Sequence, residues 1–254
     1  MASSVHYARS GAVATLTLDA PQRRNALSAG LLAELAGHLR TAAADPDVRT
    51  VVLSHTGPVF CSGMDLSATA DVPPEQQPVN AFPAVLEAIW TLDKPTIARV
   101  AGKARAGGIG LLAACDIVLA SPAADFAFTE VRLGLAPAVI SVTVLPRLSA
   151  PAALELCLTG ETFDAERAER IGLVNRVAAD LDAEVQRYAA LLRQGEPAAL
   201  AATKAMLRRD RAGRSTAEDL ARMGELSARL FAAPAAQEGF AAFAARRPPS
   251  WAAG

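Results

Sequence analysis

Two glycine-bearing stretches hold the residues best suited to chemistry. In the first, Val100-Ala-Gly-Lys-Ala-Arg-Ala-Gly-Gly-Ile-Gly-Leu-Leu-Ala-Ala-Cys-Asp-Ile117, a strand enters, Gly107, Gly108 and Gly110 follow, and a helix starts among them. Glycines let backbone approach a ligand closely, and a helix N-terminus exposes unpaired N–H groups with a partial positive charge. Such a turn favours an anion, or negative charge developing on an oxygen during a reaction. The second stretch is Pro58-Val-Phe-Cys-Ser-Gly-Met-Asp-Leu66, where Gly63 permits a turn that presents the N–H of Met64. Either stretch alone reads as an ordinary loop. At the ends of neighbouring strands, the two could aim two amides at one oxygen.

Other chemistries fit less well. Gly108-x-Gly110-x-x-Ala113 matches the loose dinucleotide-binding fingerprint. The entering strand, however, ends near residue 101, the helix has barely eight residues before Asp116, and Ser121-Pro122 stands where a ribose-binding acid belongs. The chain has no Gly-x-Ser-x-Gly elbow and no Walker loop. Cys61, Cys115 and Cys157 are odd in number and far apart, which suggests reduced thiols and a cytoplasmic protein. His6, His38 and His55 have no metal-ligand spacing with them, so no metal site is expected. Asp65 and Asp116 read as caps or turn residues, and nothing obvious would activate Cys61 as a nucleophile. Glu130, taken alone, is a surface acid near Arg132.

The whole chain sets the frame for these residues. Its 254 residues are 52% hydrophobic, 20% charged and only 5% aromatic, so a sizeable core must be built largely from small side chains. A net charge of −1 gives no general reason to bind nucleic acid or an anionic membrane. No uncharged apolar run approaches the ~18 residues of a membrane span, and Met1–His6 lacks the layout of a secretory signal.

Periodicity predicts strands over 12–18, 48–53, 96–101 and 116–120, and a helix over 29–43 capped by Ser28. Residues 67–80 read as a polar, proline-rich surface loop before a helix over 81–92. Amphipathic stretches then run over 139–147, 151–158, 164–171, 181–193, 197–209, 216–232 and 235–245, with one strand near 173–177. The expectation is an α/β core over 1–185 and a helical section over 186–254. Phe231, Phe240, Phe243 and Trp251 make the tail apolar enough to pack on the core or on another subunit.

At this level of detail the sequence resembles the crotonase (enoyl-CoA hydratase/isomerase) superfamily over nearly its whole length, from Val13 to Pro249. The resemblance rests on Arg24-Asn-Ala-Leu-Ser28, Val59-Phe-Cys-Ser-Gly-Met-Asp-Leu66, Pro95-Thr-Ile-Ala-Arg-Val-Ala-Gly102, Ala106-Gly-Gly108 and Cys115-Asp-Ile117. It continues through Phe126-Ala-Phe-Thr-Glu-Val-Arg-Leu-Gly134, Leu158-Thr-Gly160, Ala168-Glu-Arg-Ile-Gly-Leu-Val174 and Glu238-Gly-x-x-Ala-Phe243. Each piece is weak by itself; their number and order carry the assignment.

The resemblance implies a spiral of ββα turns and C-terminal helices that trimerise, so a homotrimer or homohexamer. It implies an acyl-CoA thioester substrate, with CoA entering as part of that substrate and no separate cofactor. The family's two oxyanion-holding amides fall on Met64 and Gly107. Its substrate- and CoA-contacting positions fall on Arg24, Ala26, Leu27, Ser62, Asp65, Leu66, Gly108, Gly110 and Arg246. Of the two glutamates used by the hydratases, the second falls on Glu130 and the first on Gly110, where no carboxylate exists. Val139, Ile140 and Val142 are expected at the acyl pocket. Gly107-Gly-Ile-Gly-Leu111 with Thr129-Glu-Val-Arg-Leu-Gly-Leu-Ala-Pro-Ala-Val-Ile-Ser141 looks like the bacterial enoyl-CoA/methylglutaconyl-CoA hydratase branch, which favours hydration of a 2-enoyl thioester. Double-bond isomerisation by one glutamate, or thioester binding without turnover, stand as alternatives.

Overall fold

The computed structural model describes residues 4–65, 80–208 and 233–252, together with 218, 220, 224–227 and 229. Residues 67–79 of the expected 67–80 loop, Leu66, Phe231 and most of the 216–232 stretch lie outside the described residues.

Two sheets are built from strands taken in turn. The larger has six strands: β1 (Val5–Ser10), β2 (Val13–Leu18), β3 (Thr50–His55), β5 (Thr96–Val100), β7 (Ile117–Ala120) and β10 (Arg176–Val177), in the order β1-β2-β3-β5-β7-β10. Only the β1–β2 pair is antiparallel. The smaller sheet joins β4 (Val59–Cys61), β6 (Lys103–Arg105), β8 (Asp125–Ala127) and β9 (Phe163–Asp164) in that order, parallel except for the last pair. Each passage of the chain therefore lays one strand in each sheet before a helix. The passages are β3-β4-α2 (α2, Phe82–Trp90), β5-β6-α3 (α3, Gly107–Ala114) and β7-β8-α4 (α4, Ala138–Val144), followed by α5 (Ala150–Thr159) and α6 (Ala165–Arg170). This is the ββα spiral.

The sequence dictates the layers simply. Strand β3 is buried at every position, and its residues alternate between two apolar clusters. Val51 and Leu53 join the main core with Phe60, Phe126 and Phe128, whereas Val52 meets Ile97, Leu119, Leu181 and Val185 on the opposite face. The latter two belong to α7 (Leu181–Arg193), so the division expected at 185/186 falls inside a helix packed on the sheet. Helix α1 (Ala29–Ala44) starts where expected, with the Ser28 hydroxyl accepting from the Leu31 N–H at 3.2 Å.

Two differences from expectation have physical causes. Strand β1 is not among the expected strands: only its Val5 is fully buried, as suits an edge strand with one open side, so its sequence carries no clear alternation. Between the strand expected to end near residue 101 and the glycine turn lies β6, whose three residues are too few to show a period.

Asn25 locks the turn before α1 onto the sheets. Its Nδ2 donates to the Thr56 and Val59 carbonyls at 3.1 and 2.8 Å, and its Oδ1 accepts from the Ala20 N–H at 2.8 Å. It is fully buried at φ 51, a left-handed conformation that Asn tolerates better than most residues. Asn25→Ala should lower unfolding stability by roughly 2–4 kcal/mol in urea titrations, because it strands buried partners and strains the backbone.

Candidate active site

Three adjacent parallel strands of the smaller sheet end at one cavity of about 260 Å³. Beyond β4 come Ser62, Gly63 and Met64; beyond β6, Ala106 and Gly107; beyond β8, Thr129 and Glu130. Groups just past the carboxyl ends of parallel strands are where open α/β sheets place their ligands.

The two turns are held side by side. Gly63 has φ 93, and a Cβ there would lie 3.6 Å from the Gly107 nitrogen and 3.1 Å from the Ala106 Cβ. Leu27 N–H donates to the Gly63 carbonyl at 2.8 Å, and Asp65 N–H to the Leu27 carbonyl at 3.2 Å, so the 24–27 segment braces Met64 from one side. Gly108 must be glycine, because a Cβ there would meet the Cys61 carbonyl oxygen at 2.6 Å. Ala106, at φ 45 and ψ −119, is strained and puts no side-chain cap on α3. Its N–H donates to the Ala127 carbonyl at 3.2 Å, tying the turn to the strand that leads to Glu130. Among the described residues, the N–H groups of Met64 and Gly107 donate to no protein acceptor.

Glu130 opens the short 3-10 turn Glu130–Leu133, anchored below by Phe128 in the core. It is not the surface acid its neighbours suggested. Only 8% of it is exposed, Oε2 has no hydrogen-bond partner among the described residues, and Arg132 turns away toward the Thr159 carbonyl. Burial pushes its pKa above the ordinary carboxylate range, and its own backbone N–H opposes this only in part.

The remaining wall is apolar. Phe82, Pro137, Val139 and Ile140 line it, with the half-exposed Leu133 and Leu135 also on its lining. Val142, expected here, is instead 71% exposed and lines a separate cavity with Trp90 and Arg147, because it lies two residues beyond Ile140 on a helix. Gly110 faces the cavity wall rather than the ligand space. A Cβ at that position would lie 2.4 Å from Ile140 Cγ2, 3.0 Å from Ile140 Cβ and 3.5 Å from Phe82. The place where a second acid would begin is filled by Ile140.

The other expected contact residues are spread more widely. Ser62 lines the cavity, and Ala26 is half-buried on the bracing segment. Leu27 is fully buried, near enough that a Cβ on Gly107 would lie 3.0 Å from its Cδ1. Arg24 is exposed at φ 54, and Asp65 is buried within 3.5 Å of Arg23. Arg246 is exposed just past the last helix, Pro234–Ala244, and does not line this cavity. Burial pushes the Cys61 thiol up to about 12, which leaves it protonated and inert at neutral pH. Among the described residues no group of three or more His, Cys, Asp or Glu could hold a metal, and no helix is long and apolar enough to cross a membrane.

This fold and this cavity define a class. The profile of the enoyl-CoA hydratase/isomerase family matches residues 8–254, and the chain belongs to that family, within the crotonase superfamily. An enoyl-CoA hydratase of Mycobacterium smegmatis of known structure is 35% identical, with a TM-score of 0.91 over 98% of this chain and 99% of that one. An enoyl-CoA hydratase of Mycobacterium avium is 45% identical, covering 99% and 100% of the two chains with a TM-score of 0.75. The carnitinyl-CoA dehydratase of Escherichia coli K12 is 36% identical over 214 residues, 82% of this chain and 81% of that protein.

Two outcomes follow from this packing. Gly110→Ala should cost about 1–3 kcal/mol by overpacking against the β-branched Ile140, and adding Ile140→Ala should recover part of that loss in a double-mutant cycle. For Glu130, the folded-state pKa is raised, so the native state holds its proton more tightly than the unfolded chain. Its favourable contribution is complete below the unfolded carboxylate pKa and is lost as pH rises through the folded value. Glu130→Gln should therefore raise Tm at neutral pH, with the gain shrinking toward pH 4 in thermal melts.

Proposed function

We propose that the chain hydrates the 2,3 double bond of a 2-enoyl-CoA thioester, with Glu130 as the acid–base group. The observation that carries this reading is the sharing of one apolar cavity by a buried carboxyl, whose Oε2 has no partner among the described residues, and two amides without acceptors among those residues. In that space the amides of Met64 and Gly107 hold the thioester oxygen as charge moves onto it. An environment with little water strengthens both hydrogen bonds, and removing one such donor typically costs about 100–1,000-fold in rate.

The reaction balances with one carboxylate. Glu130 takes a proton from water as the hydroxyl bonds to C3, and the C2–C3 π electrons pass to the thioester oxygen as an enolate. Glu130 then gives a proton to C2 as the enolate collapses. A raised pKa suits a group that must both accept and return a proton. The CoA portion extends along Arg24, Ala26 and Leu27, with Ser62, Asp65, Leu66, Gly108, Gly110 and Arg246 as the further contacts carried from the family, in a homotrimer or homohexamer.

The packing of Ile140 against Gly110 favours a second reading. Without a second acid, moving a double bond from C3 to C2 needs only Glu130, which takes a proton from C2, leaving a dienolate on the thioester oxygen, and returns it to C4.

Purified protein offered 2-enoyl and 3-enoyl thioesters, with product identification, separates the two. A 3-hydroxyacyl product from the 2-enoyl compound supports hydration, conversion of the 3-enoyl compound to the conjugated isomer alone supports isomerisation, and no turnover of either defeats both. Glu130→Gln should lower kcat by about 100–10,000-fold while thioester binding persists. The acidic limb of the wild-type pH–rate profile should lie above the ordinary carboxylate range, because activity requires the ionised form and burial raises its pKa.

A further inference from the structure

Helices α2 and α3 wall the cavity with Phe82 and Gly107 at their N-terminal ends, and their opposite ends meet a cluster of cations. Every residue of α3 is buried, so its last carbonyls cannot reach bulk water and need partners within the protein. Guanidinium groups provide them. Arg147 donates from Nε to the Ala113 carbonyl at 2.9 Å and from Nη2 to that of Cys115, while Arg208 donates from Nη1 to that of Ala114 at 3.0 Å. The same Nη1 of Arg208 donates to the Trp90 carbonyl at the end of α2, at 2.8 Å, so one atom ties the two helix ends together.

Arg208 is itself firmly held. Its guanidinium carbon lies 3.9 Å from the Trp90 ring centroid, and its Nη2 lies 2.7 Å from Asp116 Oδ1. Asp116 also binds Lys204 Nζ at 2.9 Å and accepts from the Thr96 N–H and hydroxyl at 2.7 and 2.9 Å. The adjoining cavity is no ligand site on this showing, because each of its cations is already engaged with carbonyls or with Asp116.

We propose that Arg208, carried by helix α8 (Pro197–Arg208), is a positioning residue for the Gly107 amide. Two effects run through α3. An eight-residue helix is only ~12 Å long and moves as a rod, so slack at its carbonyl end becomes displacement at its N–H end. The guanidinium also offsets the partial negative charge at that carbonyl end, leaving the positive end at Gly107 less opposed. The inference rests on the reading of Gly107 as an oxyanion donor.

The test compares wild type with Arg208→Met, which keeps an apolar stack on Trp90 but loses the charge and the bridge. The probe is an aryl-substituted 2-enoyl-CoA thioester, whose ultraviolet absorbance shifts to the red when its carbonyl is polarised. The expected result is a shift at saturation reduced to less than half and a kcat about tenfold lower on a turned-over thioester, with KM within about twofold, as expected when transition-state rather than ground-state binding is lost. A folded variant with a lower Tm but wild-type shift and kcat would show a merely structural role and overturn the proposal. Should Arg208→Met not fold, Arg208→Lys carries the test: it keeps the charge but not the geometry of the bridge. An intermediate shift and kcat then support the proposal, and wild-type values of both overturn it. A wild-type enzyme that binds the probe without any red shift refutes the oxyanion reading itself, an outcome distinct from a shift that the variants retain.

Discussion

A helix sunk into a protein interior along its whole length must settle the polar groups at both ends without help from bulk water. In α3 the two ends are settled differently. The carbonyl end is closed by Arg147 and Arg208, while the N–H end at Gly107 opens into a cavity and finds no acceptor among the described residues. A donor left open in an apolar space is costly unless something fills its bond. The requirement explains why glycines crowd the turn. Gly108 lets α3 press against the β4 backbone, and Gly63 lets the neighbouring turn approach the Gly107 nitrogen.

The spiral supplies the rest by repetition. Three successive passages of the chain place equivalent strand ends next to one another, and each end contributes one element: the Met64 amide, the Gly107 amide and the Glu130 carboxyl. Parallel pairing fixes their order, and the bond from Ala106 N–H to the Ala127 carbonyl fixes the spacing between the second and the third. Precision at the cavity therefore comes from backbone ladders more than from side-chain contacts.

Much of this was legible in the sequence. The long elements declared themselves by alternation and by caps such as Ser28, and the glycines marked two turns whose amides could converge before any fold was known. The resemblance pointed to Glu130, which its own neighbours did not single out. Burial of Glu130 depends on Phe128 and on apolar residues up to Ile140, and such surroundings leave no local period. The short strands β4, β6 and β8 were hidden for a simpler reason: three residues cannot display alternation. The remote cap on α3 was hidden most deeply, since Arg208 lies 94 residues from the carbonyl that it serves.

The contact between Gly110 and Ile140 has a consequence for descent. An acidic side chain at 110 collides with a β-branched neighbour, and a smaller residue at 140 first opens a void beside Phe82. Each single substitution is thus penalised unless the other has already occurred. A lineage starting from this chain therefore crosses a less stable single mutant whichever of the two positions changes first.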